Sequence, residues 1–318
     1  MQNLKSQLKI KNYVALVFLL SASLALPLIG QAAELYLESF ENSYYINDTF
    51  IIEVRMNVQD NENINAIECY LKFPKDILEA KNFSTGNSIL TFIEEPKINQ
   101  EQGLISFTGI IPGGYSGRIP GDPGQSNLLG KIIFYSVFPG RAEIIFQDIS
   151  QVLSSDGKGT SVNLINKGLT VDIKLLDNIN FIQNEWQDEL EKDKIPPEDF
   201  NPEIIQIDNK YYLAFSAKDK DSGIDHYKIL EKNFWADINK IIGIAKWINV
   251  ESPYLLKDQK LDNMIEIKAI DKAGNEKIIK LPATYFLPWY KRYYFWCIIL
   301  LVFLCYVIRK LWIYLKIK

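Results

Sequence analysis

The alternation between Ile64 and Phe73 constrains the fold of this chain more than any other stretch. Ile67, Cys69, Leu71 and Phe73 fall on one side, and Ala66, Glu68, Tyr70 and Lys72 on the other. A period of two predicts a strand with one face buried and the other presented. Pro74 has no N–H for the ladder and closes the strand. Asp76-Ile77-Leu78 then begins the next short element. A strand that ends at a Pro corner, with mixed charge and an aromatic on its free face, suits a two-sheet sandwich used for docking.

The same pattern recurs on both sides of it. Leu35-Tyr36-Leu37 opens the series, and Asn47-Asp48 turns into Thr49–Val58, where Phe50, Ile52, Val54 and Met56 alternate with more polar partners. Ser88–Glu94, Leu104–Ile111, Leu128–Phe138, Arg141–Phe146 and Gly168–Ile173 are the further strands expected. Short strands separated by turn residues, with almost no helical period, predict an all-β sandwich over residues 33–174. Glycines and prolines from Pro112 to Gly124 read as one long surface loop. That loop lacks the Lys-Ser/Thr ending and following helix of a phosphate cradle.

Composition narrows the function classes. The net charge is −4 with no basic stripe, so nucleic-acid binding is not expected. The single histidine, His226, leaves no basis for a His triad or a multi-His metal site, and it is expected at the surface. Of the three cysteines only Cys69 precedes the C-terminal apolar run, so no disulfide is expected to brace the sandwich. Cys69 is expected to be a buried, inert thiol.

The two ends carry targeting signals. Lys5, Lys9 and Lys11, the apolar run Val14–Ile29, and Gly30-Gln31-Ala32 read as a secretory signal over residues 1–32, cleaved after Ala32. Residues 290–312 read as a membrane span. The apolar core Tyr293–Ile308 makes about 24 Å of helix, short of a hydrocarbon core of about 30 Å. Snorkelling by Arg309 and Lys310 and burial of Leu311-Trp312-Ile313 would extend it. Basic residues are more numerous after the span than before it. Residues 313–318 are therefore expected to be a cytoplasmic tail, with the domains before the span outside.

Between these ends lie a linker and a second domain. Residues 175–203 are acidic around Trp186 and marked by Pro196, Pro197 and Pro202, with one short helix expected before Ile195. Residues 204–285 form a smaller β unit. Leu213, Phe215 and Ala217 alternate; Ile224, Tyr227 and Ile229 mark the next strand; Ile265, Ile267 and Ala269 alternate with Glu266 and Lys268. Asp271-Lys272-Ala273-Gly274-Asn275 supplies a hairpin turn. Asp219, Asp221 and Asp225 have the look of a calcium loop but lack the twelfth-position Glu of an EF-hand, so no metal and no cofactor are assigned.

The phrases of the larger domain, taken in order, resemble a cohesin. They are Ile64–Ala80, Gly103–Phe107, Leu128–Phe134, Gly140–Phe146, Ser154–Gly157 and Gly168–Val171. The resemblance implies a cohesin-like jelly-roll β-sandwich whose partner is a dockerin-bearing protein, docked on one sheet face to which the third strand supplies polar contacts. Ala66 and Glu68 stand where many cohesins carry an Asn and then an Asp two residues on. Glu68 keeps the carboxylate, and Ala66 departs from the pattern. Asp221-Ser222-Gly223-Ile224 and Ala269–Asn275 resemble bacterial immunoglobulin-like domains, implying a stalk.

Glu68, Tyr70, Lys72 and Tyr115 are the expected binding residues. Two other readings follow from the residues. A carbohydrate-binding module would need exposed aromatics that stack on sugar rings, for which Tyr44, Tyr45, Tyr70 and Tyr115 are the candidates; its partner would be polysaccharide. A glycosidase would need two carboxylates facing across a cleft. Glu94 and Glu95 are adjacent and point opposite ways on a strand, and Asp76 with Glu79 is the other pair available, so no catalytic residue is assigned.

Overall fold

The computed structural model describes residues 32–58, 62–118, 126–175, 182–232, 246–284 and 293–317. Residues 1–31 of the leader expected over residues 1–32, and Pro120–Gly124 of the expected loop, lie outside the described residues. The chain divides into two compact units, one built chiefly from residues 33–185 and one from residues 186–318.

The first unit is a two-sheet sandwich. Its strands are β1 (Ala32–Ser39), β2 (Ser43–Tyr45), β3 (Thr49–Val58), β4 (Ile64–Lys72), β5 (Leu78–Ser84), β6 (Thr91–Phe92) and β7 (Lys97–Asn99). They continue as β8 (Leu104–Tyr115), β9 (Leu128–Ser136), β10 (Gly140–Phe146), β11 (Gln151–Ser154), β12 (Asn163–Lys167) and β13 (Leu169–Lys174). One sheet runs β12-β1-β3-β9-β5. The other runs β2-β13-β10-β4-β8-β6, with β11 also on β4 and β7 also on β8. Two of the pairings, β1 with β12 and β2 with β13, are parallel.

The core lies between the sheets, and the sequence alternation states which side chains fill it. Phe50, Ile52, Val54 and Met56 of β3 and Ile67, Cys69 and Leu71 of β4 are all buried there. Burial pushes the Cys69 thiol far above its ordinary value, so it stays protonated and packs as a small apolar group. Tyr44 stacks on Phe50 at 4.0 Å between ring centroids, and Phe134 meets Phe73 edge-on at 5.2 Å.

Three expected elements differ. The strand expected over Ser88–Glu94 shrinks to Thr91–Phe92. Ser88 Oγ donates to Leu129 O and accepts from Leu90 N–H, so a side chain takes the backbone's place in the ladder. β8 runs on through Pro112–Tyr115, a segment read from sequence as loop. Gly113 and Gly114 there hold φ of 82° and 79°, and Tyr115 still pairs with Ile64 after an irregularity in the register. β9 is buried along nearly its whole length instead of alternating.

One glycine closes the corner after β4. Gly103 has φ of 65°, its carbonyl accepts from Phe73 N–H at 2.9 Å, and a Cβ there would sit 2.4 Å from Phe73 O. Only glycine meets both conditions without displacing the backbone.

The sandwich also holds the chain that leaves it. Gln183 O accepts from Thr49 N–H, Asp48 Oδ1 accepts from Gln183 N–H, and Glu185 Oε2 accepts from Ile51 N–H at 2.8 Å. Burial pushes the Glu185 carboxyl above its ordinary value, and the Ile51 N–H opposes that shift without cancelling it. Folding therefore favours the neutral acid. The stability this group supplies is complete below its ordinary value of 4.5 and is lost as pH rises through the higher folded value. Glu185→Gln is permanently neutral and keeps an acceptor for Ile51. It is expected to raise the sandwich's unfolding temperature over wild type at about pH 7 and to lose that advantage at about pH 4, as thermal scans at both pH values would show.

The second unit begins within the short helix Glu185–Lys192, close to where the sequence predicts one. It contains two small sheets. One is β14 (Glu203–Ile207), β15 (Lys210–Ala214) and β18 (Tyr254–Leu255); the other, in spatial order, is β17 (Ile248–Val250), β16 (Ile224–Lys232), β19 (Met264–Asp271) and β20 (Glu276–Leu281). Leu213, Phe215, Ala217, Ile229, Ile265, Ile267 and Ala269 form their shared core together with Phe200. Glu266, on the opposite face of β19 from Ile265 and Ile267, is also buried, which the alternation does not foretell. Gly274 takes a positive φ of 88° in the turn between β19 and β20, and Asn275 stays at negative φ.

Among the described residues one helix is long and apolar enough to cross a membrane. It runs Tyr293–Ile317, and its most apolar part, Phe295–Ile313, has a mean hydropathy of 2.1. Twenty-five residues give roughly 37 Å of helix, so the helix continues past the length read from the apolar run alone.

Candidate functional site

The outward face of β4 is where the expected binding residues meet. Glu68, Tyr70 and Lys72 project from the side opposite Ile67, Cys69 and Leu71 because successive strand residues alternate. Cross-strand neighbours follow from the register: Glu68 stands beside Thr108 of β8 and Gln151 of β11, Tyr70 beside Ser106, and Lys72 beside Leu104 of β8 and Ile145 of β10. Ala66 pairs with Ile110 and Leu153.

A backbone irregularity shapes this face. β10 pairs with β4 at Leu71 and Lys72, and β11 takes over the same edge from Glu68 to Ile64. The turn between them is fastened at Tyr70. Gln147 N–H donates to Tyr70 O at 2.8 Å, and Ser150 Oγ accepts from Tyr70 N–H at 3.0 Å. Ile149, in that turn, is 61% exposed, while Ile110 and Ile145 are 43% and 40% exposed. The sheet thus presents Ile110 and Ile145 beside its polar residues, with Ile149 exposed in the adjoining turn.

That polar row is internally ordered. Tyr70 Oη donates to Glu68 Oε1 at 2.5 Å, and this bond holds the phenol above its ordinary value. The carboxylate keeps its second oxygen for another donor. Lys72 is exposed at the end of the row. The face thus combines a carboxylate, a phenol and a cation with exposed isoleucines.

Tyr115 is not part of it. It lies at the far end of β8 opposite Ile64 and packs against the core. The other tyrosines offered for sugar stacking do not form a row either. Tyr44 is fully buried on Phe50, Tyr45 is half-buried at the end of β2, and Tyr70 is tied to Glu68. Of the carboxylates offered for hydrolysis, Glu94 is exposed and paired with Lys97, which holds its carboxyl below the ordinary value, and Glu79 pairs with Lys81 at 2.7 Å.

The opposite sheet carries a different polar group. Arg55 is buried, with Nη1 donating to Asn127 Oδ1 at 2.7 Å and its other nitrogens on Glu53 and Glu38. Asn127 Nδ2 donates to Tyr36 Oη at 2.8 Å. The buried Arg55 and Asn127 find partners in each other and in the less buried Glu53, Glu38 and Tyr36, which is the signature of a structural network. The sequence marks Arg55 only as the polar partner of an alternating strand.

No protein-family model and no curated protein sequence matches the chain. Among solved structures, it is similar to a cohesin module from the Clostridium perfringens ATCC13124 family 33 glycoside hydrolase, at 10% identity and a TM-score of 0.35, over 46% of this chain and 98% of that one. It is similar to a non-cellulosomal cohesin from the hyperthermophilic archaeon Archaeoglobus fulgidus, at 14% identity and a TM-score of 0.33, over 46% and 92%. It is also similar to the seventh ScaB type I cohesin from Pseudobacteroides cellulosolvens, at 16% identity and a TM-score of 0.34, over 48% and 97%.

Proposed function

We propose that this chain is a membrane-anchored, non-catalytic receptor whose sandwich binds a dockerin-bearing protein through the outward face of β4. The observation that carries the reading is the row of Glu68, Tyr70 and Lys72 on one face, with exposed Ile110 and Ile145 beside its two ends. The ordered cohesin-like phrases in the sequence support the class of partner. Tyr115 is set aside as a contact because it packs against the core. In this reading residues 204–285 serve as an immunoglobulin-like stalk; much of the segment read from sequence as a linker is packed into the units themselves, with Gln183 and Glu185 held on the sandwich and Phe200 in the core of the second unit. The C-terminal helix is the anchor, with the domains outside and the last residues in the cytoplasm.

The second reading, a carbohydrate-binding module, is weakened by the burial of Tyr44 and the scatter of the remaining tyrosines. One experiment separates the two. The full chain in detergent micelles is immobilised and offered dockerin-bearing proteins, with plant and microbial polysaccharides in parallel. Capture of a protein is expected, and Glu68→Arg is expected to weaken it at least tenfold, on the order of 1.4 kcal/mol, with the unfolding temperature unchanged. Charge reversal replaces the carboxylate at the centre of the face with a cation and removes the acceptor of the Tyr70 hydroxyl. Capture of glycan alone, or protein capture indifferent to Glu68→Arg, would sink the proposed face.

A further inference from the structure

Three carboxylates that lie far apart in the sequence meet inside the second unit. They are Asp193 just after the helix Glu185–Lys192, Asp219 in the loop before β16, and Asp271 at the end of β19. One oxygen from each lies within 4.8 Å of the others. Their exposures are 3%, 6% and 1%. Carboxylates almost never go below a tenth exposed without a compensating partner.

Each is held in place by backbone amides. Asp219 Oδ2 accepts from Gly223 N–H at 2.8 Å and Asp221 N–H at 3.1 Å. Asp193 Oδ2 accepts from Ser222 N–H at 3.1 Å, and Asp271 Oδ1 from Asn275 N–H at 2.7 Å. The backbone thus aims the carboxylates as outer hydrogen bonds orient metal ligands. Asp219 Oδ1 is buried and has no hydrogen-bond partner. It is the one oxygen of the three groups that the fold buries and leaves unused, and the charges of Asp193 and Asp271 bear on its carboxyl.

Asn275 sharpens the point. Its Nδ2 lies 3.0 Å from Asp271 Oδ2 and 3.4 to 3.5 Å from Asp193 O, Asp193 Oδ1 and Ile195 O. A single amide group is surrounded by oxygens, and the same amide turned over would bring a carbonyl oxygen to the cluster as a further donor.

We propose that Asp193, Asp219 and Asp271 form a calcium site that ties the segment after the helix Glu185–Lys192 to the loops at the ends of β16 and β19. All the donors are oxygens, which selects a hard cation. Calcium binds oxygens at about 2.3–2.6 Å, so two of its ligands can stand roughly 5 Å apart. Magnesium, at about 2.0–2.1 Å, spans only about 4 Å and demands a stricter octahedron. The site is not the Asp219-Asp221-Asp225 loop suggested by spacing. Asp221 contributes its N–H to Asp219, and Asp225 faces His226 Nδ1 at 2.6 Å.

The test uses the full chain in detergent micelles, stripped with a chelator and exchanged into buffer. Calcium binding is followed by isothermal titration, and thermal unfolding is recorded with chelator, calcium chloride or magnesium chloride. One calcium per chain and a calcium-dependent rise in the unfolding temperature of the second unit are expected, with magnesium binding at least tenfold more weakly. Asp219→Asn is expected to lose at least about tenfold in calcium affinity and, in chelator, to unfold no earlier than wild type, because one charge has left a crowded cluster. A structural role alone would lower stability in chelator and leave no calcium response. Asp271→Asn is the second variant should the first not fold by circular dichroism. Absence of binding to the folded wild-type chain at about 10 mM calcium, beyond the weakest calcium modules, overturns the proposal. So does a titration unchanged by either variant, or one in which magnesium binds as well as calcium.

Discussion

Phe134→Ala is expected to destabilise the sandwich by about 3–5 kcal/mol. Phe134 is fully buried in β9 and faces two rings, Phe73 just after β4 at 5.2 Å and Phe50 of β3 at 6.1 Å. Removing its ring leaves a cavity bounded by strands of both sheets. β3 and β9 are joined by a long ladder and cannot move toward each other to fill it. Phe134→Leu keeps much of the volume and is expected to cost less, on the order of 1–1.5 kcal/mol. Urea unfolding of the two variants checks the ordering. A midpoint for the alanine variant within about 1 kcal/mol of wild type would mean that the site collapses freely, contrary to the packing described.

The second large effect belongs to a polar residue. Asp48→Ala is expected to cost about 3 kcal/mol. Asp48 is fully buried, its Oδ2 accepting from Tyr45 N–H at 2.7 Å and its Oδ1 from Gln183 N–H at 2.8 Å. Alanine leaves both amides without an acceptor in a place water does not reach, and an orphaned buried donor costs its full desolvation. Asp48→Asn keeps one acceptor and is expected to lose roughly half as much. The measurement is denaturant unfolding combined with amide hydrogen exchange. Faster exchange at Tyr45 and Gln183, with the centre of β3 still protected, would place the loss at this clamp. Equal protection in wild type and Asp48→Ala would refute it.

The sequence by itself determined which side of each well-patterned strand is buried. Ile67, Cys69 and Leu71 are inside and Glu68, Tyr70 and Lys72 outside because side chains alternate along any strand, whatever it pairs with. For the same local reason Thr49–Val58 was legible to the residue, as were the alternation of Ile265, Ile267 and Ala269 and the apolar C-terminal helix. The candidate face was legible this far, through one strand. Its surround was not, because Ile110, Ile145 and Ile149 reach it through sheet register and through the turn clipped to Tyr70.

Only the tertiary structure decided the rest. In the sequence Tyr44 is open to either sugar stacking or sandwich packing, and the parallel pairing of β2 with β13 carries it into the core beside Phe50. Pro112–Tyr115 reads as loop, and β8 extends through it because β4 supplies a partner at Ile64. Asp193 reads as one more solvated charge in an acidic stretch. It becomes buried beside Asp219 and Asp271 because a helix end, a loop and a strand end converge at one place. Periodicity reports the environment a residue creates with its near neighbours. Which distant segments meet is set by closing the sheets around their cores, and no local pattern carries that information.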